Sequence, residues 1–364
     1  MSIFIFKEHS KEEWVNSKDK IKQVFENQVF GVRSIEKPEN LQFRTISETV
    51  ISTKPYVLCR ETEASFENFD FKFKVFLGKG TKKPMPAFIY IMHPQQSKKF
   101  NINSEPNNIF LPVINIVKKG FAIGLMETKN IADDFTGGEK SGIFKVLPSN
   151  PDNGWAVLSA WAWGASRILD YFETIKEIDH KKVAVVGHSR SGKTALWASA
   201  TDQRFYMAIA NCSGCTGASL SRGNNGESIK YINETFPYWF TRNYNKYNDN
   251  VENLPIDQHM LLALTAPRYL YISSASKDNW ADPDNELFSC HLANQIYSLY
   301  GKRGLVIDEN NEFKVNNDKS YNKGCIAYHR KEGEHCINAQ DWDKYLQFFK
   351  NKLLKDNRFD STAK

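Results

Sequence analysis

The segment Gly187-His-Ser-Arg-Ser-Gly192-Lys193-Thr194 has residue types that suit two different chemistries. As G-x-x-x-x-G-K-[ST] it fits a phosphate loop, in which backbone N–H groups cradle a nucleotide's phosphates and the lysine reaches toward them. As a sharp strand-to-helix turn with a serine at its tip, it fits a nucleophile elbow with Ser189 as the nucleophile. The strict elbow pattern is G-x-S-x-G, whereas here position 191 is serine and the second glycine stands at 192. A serine hydroxyl attacks well only when an imidazole takes its proton and a carboxylate holds that imidazole in the right tautomer. An elbow on an α/β sheet expects these partners in the chain order Ser, acid, His. Asp278, after the apolar stretch Tyr269–Ser273, and His335, in Glu332-Gly-Glu-His335, stand in that order.

Each candidate has a rival. His329 falls at the end of an apolar stretch and reads as structural, whereas Gly333 gives His335 a loop that can reach over the sheet. Asp282 precedes Pro283, where the chain turns into a helix, so a capping role suits it better than catalysis. Arg190 and Lys193 lie in the first turn of a helix, where the dipole disfavours a cation; a developing oxyanion would give them a reason to be there. Cys212 and Cys215 form C-x-x-C, but no second ligand pair lies at zinc spacing, so neither metal nor redox work is assigned to them. His93 and Asp257-Gln258-His259 either line the cleft or are buried polar residues, and the sequence leaves both open.

The elements that would position these groups follow from periodicity. Phe69–Phe76 alternates strictly, as a half-buried antiparallel strand at a sheet edge would. Ala87–Met92 is continuously apolar, as suits a strand buried on both faces. Further strands are expected at Phe121–Met126, Val183–Val186, Tyr206–Ala210, Tyr269–Ser273 and Cys325–Tyr328. Helices are expected at Phe110–Lys118, Trp155–Phe172, from Arg190, at Asn285–Tyr300 and at Asp341–Leu353, the second with an apolar stripe at three-four spacing. Such alternation predicts a three-layer α/β fold, a mostly parallel sheet with helices on both faces. Residues 1–68 read as a helical or extended segment packed on a catalytic domain over 69–355. Residues 213–258, with Phe236-Pro-Tyr-Trp-Phe240, read as a lid-like insertion or binding wall, and the polar stretch 304–323 as a surface excursion.

Several strand–helix units precede the Gly187–Thr194 segment. That is the position of a nucleophile elbow on a central strand rather than of a phosphate loop, which follows an early strand. The reading is therefore an α/β-hydrolase. Composition agrees with a globular enzyme: 364 residues, 41% hydrophobic, 25% charged. The net charge of +6 is spread along the chain, without the clustered basic stripe of a nucleic-acid binder. No apolar run reaches the roughly 18 residues of a membrane span, and the run at Met1–Phe6 is too short for a signal peptide. The expected compartment is the cytoplasm as the sequence stands, or the periplasm or exterior if a leader was removed. The 6 cysteines are too sparse for a disulfide scaffold.

The chain resembles the bacterial branch of carbohydrate esterase family 15, the glucuronoyl esterases, whose members are also described as acetylxylan-esterase-like. The segments that carry the resemblance are Trp161-Ala-Trp-Gly-Ala-Ser-Arg167, Val185-Val-Gly-His-Ser-Arg-Ser-Gly-Lys193, Ser213-Gly-Cys-Thr-Gly-Ala218, Gly226-Glu227, Phe236-Pro-Tyr-Trp-Phe240, Leu254-Pro-Ile-Asp-Gln-His259, Asp278-Asn-Trp-Ala-Asp-Pro283, and Tyr328-His-Arg-Lys-Glu-Gly-Glu-His335 followed by Asp341-Trp342. They run in order from about residue 70 to 350. The resemblance implies hydrolysis of the ester between a xylan-borne (4-O-methyl)glucuronic acid and an alcohol, by a serine triad that needs no metal or cofactor. It implies Ser189 as nucleophile, His335 as base and Asp278 as acid. Arg190 would meet the oxyanion through its N–H and guanidinium, and Lys193, Glu227, Trp280 and Trp239 would bind substrate. Two positions depart from the fungal members: Cys212 stands where they place the acid, and His188 stands where they carry a cysteine bonded to a cysteine after the catalytic histidine. The second cysteine is present as Cys336, but with His188 in its partner's place the fungal disulfide is impossible. A sugar deacetylase is the nearest alternative; a non-catalytic carbohydrate binder and a phosphate-loop nucleotide binder are alternatives of other classes.

Overall fold

The computed structural model describes residues 6–79, 83–98, 105–150, 152–307 and 315–362. Residues 308–314 of the polar stretch, and most of the run at Met1–Phe6, lie outside the described residues. The strands are β1 (Gln42–Thr53), β2 (Tyr56–Phe66), β3 (Phe69–Gly78), β4 (Met85–Met92), β5 (Ala122–Glu127), β6 (Ile178–His188), β7 (Met207–Asn211), β8 (Tyr269–Ala275), β9 (Ser320–Tyr321) and β10 (Ile326–Lys331). They form one ten-stranded sheet in the order β1-β2-β3-β5-β4-β6-β7-β8-β10-β9. Pairing is parallel from β5 through β4, β6, β7 and β8 to β10, and antiparallel at both ends.

The helices are α1 (Lys11–Phe25), α2 (Pro94–Ser97), α3 (Val113–Lys118), α4 (Val157–Phe172), α5 (Arg190–Thr201), α6 (Ile229–Thr235), α7 (Gln258–Ala263), α8 (Pro283–Leu299) and α9 (Ala339–Thr362). The pleat explains the layers. Ala87, Ile89 and Ile91 of β4 join Val183 and Val185 of β6 in a core shared with α4, α5 and α8. Phe88, Tyr90 and Met92 join Ala184 and Val186 in a second core, shared with α3 and with Trp342, Tyr345, Phe348 and Phe349 of α9. A strand buried on both faces reads as a continuous apolar run. The architecture is the expected three-layer α/β-hydrolase sheet, and β6, the strand that delivers Ser189, lies inside its parallel centre.

Two expectations need correction. The boundary at 68/69 falls inside the sheet, because β2 pairs with β3 from Val57↔Gly78 to Phe66↔Phe69. Residues 42–66 are a β-hairpin that adds two strands, so β3 is antiparallel as expected but internal rather than at the edge. Residues 213–258 carry α6 and short 3₁₀ turns, and bury Tyr238, Trp239, Phe240, Tyr244, Leu254 and Ile256. This stretch is a packed wall and does not have the loosely held apolar contacts of a lid. Among the described residues, no helix is long and apolar enough to cross a membrane.

Candidate active site

Strand β6 ends at His188 and α5 begins at Arg190, with Ser189 alone between them at φ 58, ψ −127. Positive φ in a non-glycine residue is costly and persists only where the surroundings enforce it. Here the Ser189 N–H donates to Asn211 O at the end of β7 (2.8 Å), and the N–H groups of Gly192 and Lys193 donate to Ser189 O. The glycines of the motif are there for space. A Cβ on Gly187 would lie 1.9 Å from Ser191 O, and one on Gly192 would meet the Ser213 side chain at 3.0 Å. The displaced second glycine therefore faces the loop after β7, while Ser191 is accommodated fully buried. The turn places Ser189 at the N-terminus of α5, where the first N–H groups of a helix have no intrahelical partner.

The partners arrive from parallel strands two and three places along the sheet from β6. Asp278 follows β8 and His335 follows β10, and His335 Nδ1 lies 2.6 Å from Asp278 Oδ2. The Asp278 side chain is 3% exposed and that of His335 40%, so the carboxylate is shielded while the imidazole faces the cleft. No hydrogen bond within 3.5 Å joins Ser189 Oγ to His335 among the described residues; such pairs tighten on substrate binding. Both rivals take other roles. His329 is buried between Tyr271 OH (3.1 Å) and Asp341 (2.8 Å). Asp282 caps α8 and accepts the Asn225 N–H at 2.8 Å.

Arg190 is held rather than free. Its guanidinium donates to Asp134 (2.7 Å) and lies over the rings of Trp239 and Phe236, 4.6 and 5.2 Å from their centroids. Asp134 also accepts from Trp239 Nε1 (2.9 Å) and Tyr238 OH (3.2 Å). This corrects the place of Trp239: it is 2% exposed and stacked on Phe236, so it braces Arg190 from behind and offers no face to a sugar. Lys193 donates to Glu227 (2.6 Å) and to Cys215 O, an ion pair whose side chains are 3% and 10% exposed. A phosphate loop would aim this lysine at an anion, whereas here it is already neutralised. Trp280 is 50% exposed, edge-on to Tyr231. Its carbonyl accepts the Glu227 N–H at 2.8 Å, so the two loops that carry Glu227 and Trp280 are stitched together.

A second polar layer, built on His188 and His93, lies beside the triad. His188 packs 4.6 Å from His335, ring centre to ring centre, and 6.0 Å from His93. Burial, then the nearby His335 and His93, push His188 well below the usual histidine range. Burial, then Arg190 and His335, push His93 down to about 3. His93 thus belongs to the site, whereas Asp257 caps α7 and pairs with Arg222, and His259 packs against Phe6. Glu286, fully buried in α8, accepts from the N–H groups of Ser213 (2.8 Å) and Gly214 (2.9 Å) and from Ser274 Oγ (2.6 Å). Burial raises it to about 7, against its hydrogen bond from Ser274. Asp134 and Glu286 sit in no motif; the sequence signal for Glu286 is a carboxylate on the mostly apolar buried face of α8. Cys212, Cys215 and Cys336 are free thiols.

Comparison with known proteins identifies this arrangement. The family model for fungal glucuronyl esterases matches residues 61–301. A carbohydrate esterase of an unknown prokaryotic organism is 44% identical over 236 residues, covering 64% of this chain and 54% of that protein; the chain spans about half of this relative's length. A 4-O-methyl-glucuronoyl methylesterase of Neurospora crassa is 29% identical over 287 residues, covering 71% of this chain and 72% of that protein. The solved glucuronoyl esterase from Solibacter usitatus superposes with a TM-score of 0.84 at 29% identity, covering 94% of this chain and 93% of that one. By the family match, the order of its motifs and its bacterial structural neighbours, the chain belongs to the glucuronoyl esterase family, carbohydrate esterase family 15, in its bacterial branch.

Proposed function

We propose that this protein is a serine carboxylesterase that hydrolyses the ester between a glucuronic acid, such as the 4-O-methyl sugar, and an alcohol. The observation that carries the reading is the 2.6 Å bond between His335 Nδ1 and the buried Asp278 carboxylate beside a serine held at φ 58. Asp278 fixes the tautomer that leaves His335 Nε2 able to accept a proton. Ser189 Oγ attacks the ester carbonyl as His335 takes its proton. The oxyanion forms against the first N–H groups of α5 and the Arg190 guanidinium, which Asp134 keeps in place. The alcohol leaves with the proton from His335, and the uronoyl group stays on Ser189. Water then attacks as His335 takes its proton; the bond to Ser189 Oγ breaks, His335 returns the proton to that oxygen, and the free sugar acid departs.

The acyl group is read as a sugar acid because polar side chains suited to hydroxyl groups surround its place. Hydroxyls that lose water on binding must be re-paired, and in this reading Lys193 and Glu227 re-pair them, with Trp280 alongside. Curated relatives carry the name 4-O-methyl-glucuronoyl methylesterase. On a polymeric xylan ester the enzyme would act in the periplasm or outside the cell; on a small glucuronate ester it would act in the cytoplasm. The deciding experiment compares kcat/KM for a methyl glucuronate ester with that for an acetylated xylo-oligosaccharide. The glucuronate ester should be preferred; preference for the acetate would make the protein a sugar deacetylase.

A further inference from the structure

The geometry points to an inhibitory metal site built on the catalytic histidine: Cys212, Asp278 and His335 together can take a zinc-like ion that switches the esterase off. One ligand atom from each of these residues lies within 4.8 Å of the other two. The set is a thiol, a carboxylate and an imidazole, the donor types of tetrahedral zinc sites, with one position left for water. Zinc bonds of about 2.0–2.3 Å place ligand atoms roughly 3.5 Å apart, so the Asp278–His335 pair, now 2.6 Å apart, opens by about an ångström while Cys212, within 4.8 Å of both, draws in. The His335 side chain is 40% exposed, which gives the ion a way in from the cleft. Cys212 is 1% exposed and held at φ 47 at the end of β7, on the loop that Glu286 clamps, so the thiol is fixed beside the other two donors. Nothing in acyl transfer uses this thiol.

Binding would replace one interaction with another. The ion takes Asp278 and His335 Nδ1 in place of their mutual hydrogen bond, and Cys212 as thiolate. The thiol proton is released to solvent, and the ring proton moves from Nδ1 to Nε2. His335 then presents a donor where Ser189 needs an acceptor, so the serine is no longer activated. A thiolate in the set selects zinc, cadmium or cuprous ion over magnesium and calcium, which prefer oxygen ligands.

The test measures esterase rate against buffered free Zn²⁺, with Mg²⁺ as comparison, for wild type, Cys212→Ser and Cys336→Ser, each relative to its own metal-free rate. Wild type and Cys336→Ser should lose activity reversibly, recovering with chelator, and remain indifferent to Mg²⁺. Cys212→Ser should need at least about tenfold more Zn²⁺, the scale on which lost ligation lowers affinity. In parallel, Co²⁺ added to each protein should give a thiolate-to-cobalt charge-transfer band that Cys212→Ser lacks and Cys336→Ser keeps. This arm needs no turnover, so it judges the metal site even if the esterase assignment fails. Equal inhibition of wild type and Cys212→Ser, a band that survives Cys212→Ser, or no response of wild type to Zn²⁺ would each overturn the proposal.

Discussion

Ser189 can act only if its proton has a place to go, and among the described residues His335 is an exposed imidazole with a shielded carboxylate, Asp278, behind it. Ser189→Ala should therefore lower kcat on the order of a millionfold with an unchanged Tm. Retention of more than a few per cent, with contamination excluded, would mean that another group attacks. Lys193 poses a finer question. Its ammonium has three protons, and Glu227 and Cys215 O take two. Lys193→Ala removes the proposed donor to the sugar and also takes from buried Glu227 the lysine it pairs with. On a glucuronate ester the variant should lose roughly 10- to 150-fold in kcat/KM, the worth of about 1.5–3 kcal/mol for a hydrogen bond from a charged group, and much less on an acetate ester. A Lys193→Ala/Glu227→Gln double variant measured on both esters separates lost packing from lost sugar contact: recovered Tm with unrecovered glucuronate activity assigns the Lys193–Glu227 pair to the sugar. The triad was legible because order along the chain mirrors order across a parallel sheet. Asp134 was not, since a carboxylate 56 residues from its partner Arg190 leaves no local pattern.

At the scale of elements, the elbow depends on Gly187. An alanine there must push its Cβ away from Ser191 O, which stands 1.9 Å off, and so must move Ser189. A displacement near 1 Å at a reacting atom costs about a hundredfold in rate, so Gly187→Ala should lose activity more steeply than stability, as kcat and Tm together would reveal. Glu286 ties α8 to the loop after β7, and its titration has a definite sign. Folding raises it from the ordinary 4.5 to about 7, so the folded state holds the proton more tightly. Its stabilising effect is full below pH 4.5 and is lost as pH rises through about 7. The loss is on the order of 3 kcal/mol at most. His93 slopes the other way, favouring the fold as pH rises toward 6.5, so the raw profile mixes both. The difference between wild type and Glu286→Gln in denaturant midpoint, followed from pH 4.5 to 8, isolates Glu286; the glutamine protein should gain relative stability as pH rises, and a flat difference would show that Glu286 stays neutral or ionised throughout. The central strands were legible from their apolar runs. β1 and β2 were not, because β1 is solvent-exposed along most of its length and register shifts at Thr45/Ser47 and Val50/Ser52 break the two-residue alternation on which the reading of strands rests.

Across the whole molecule, the N-terminal segment belongs to the catalytic body. Trp14, Phe25, Val29 and Phe30 are fully buried in the core that holds α4 and α5. Phe30 stacks on Trp197 of α5, with ring centres 4.3 Å apart and planes 5° apart, and Trp197 Nε1 donates to Ser159 Oγ of α4 at 3.1 Å. The helix that begins at the nucleophile is therefore fixed on its outer side by residues that the sequence reading had set apart from the catalytic domain. A chain begun at Phe69 would bare Trp197 and the paired edge of β3 together, an apolar face beside an open strand edge, which invites aggregation. That truncation should yield insoluble protein, but failure to fold alone would not identify the contact. Phe30→Ala is the sharper test. It removes a stacked, fully buried ring and should cost about 3–5 kcal/mol, lowering Tm by many degrees, while KM for the glucuronate ester stays near the wild-type value because Phe30 packs on Trp197 and Phe240 and not on Ser189, Asp278 or His335. A stability loss under 1 kcal/mol would show that the segment only rests on the enzyme, and a changed KM with an intact Tm would show that α5 shifts when its outer support is removed.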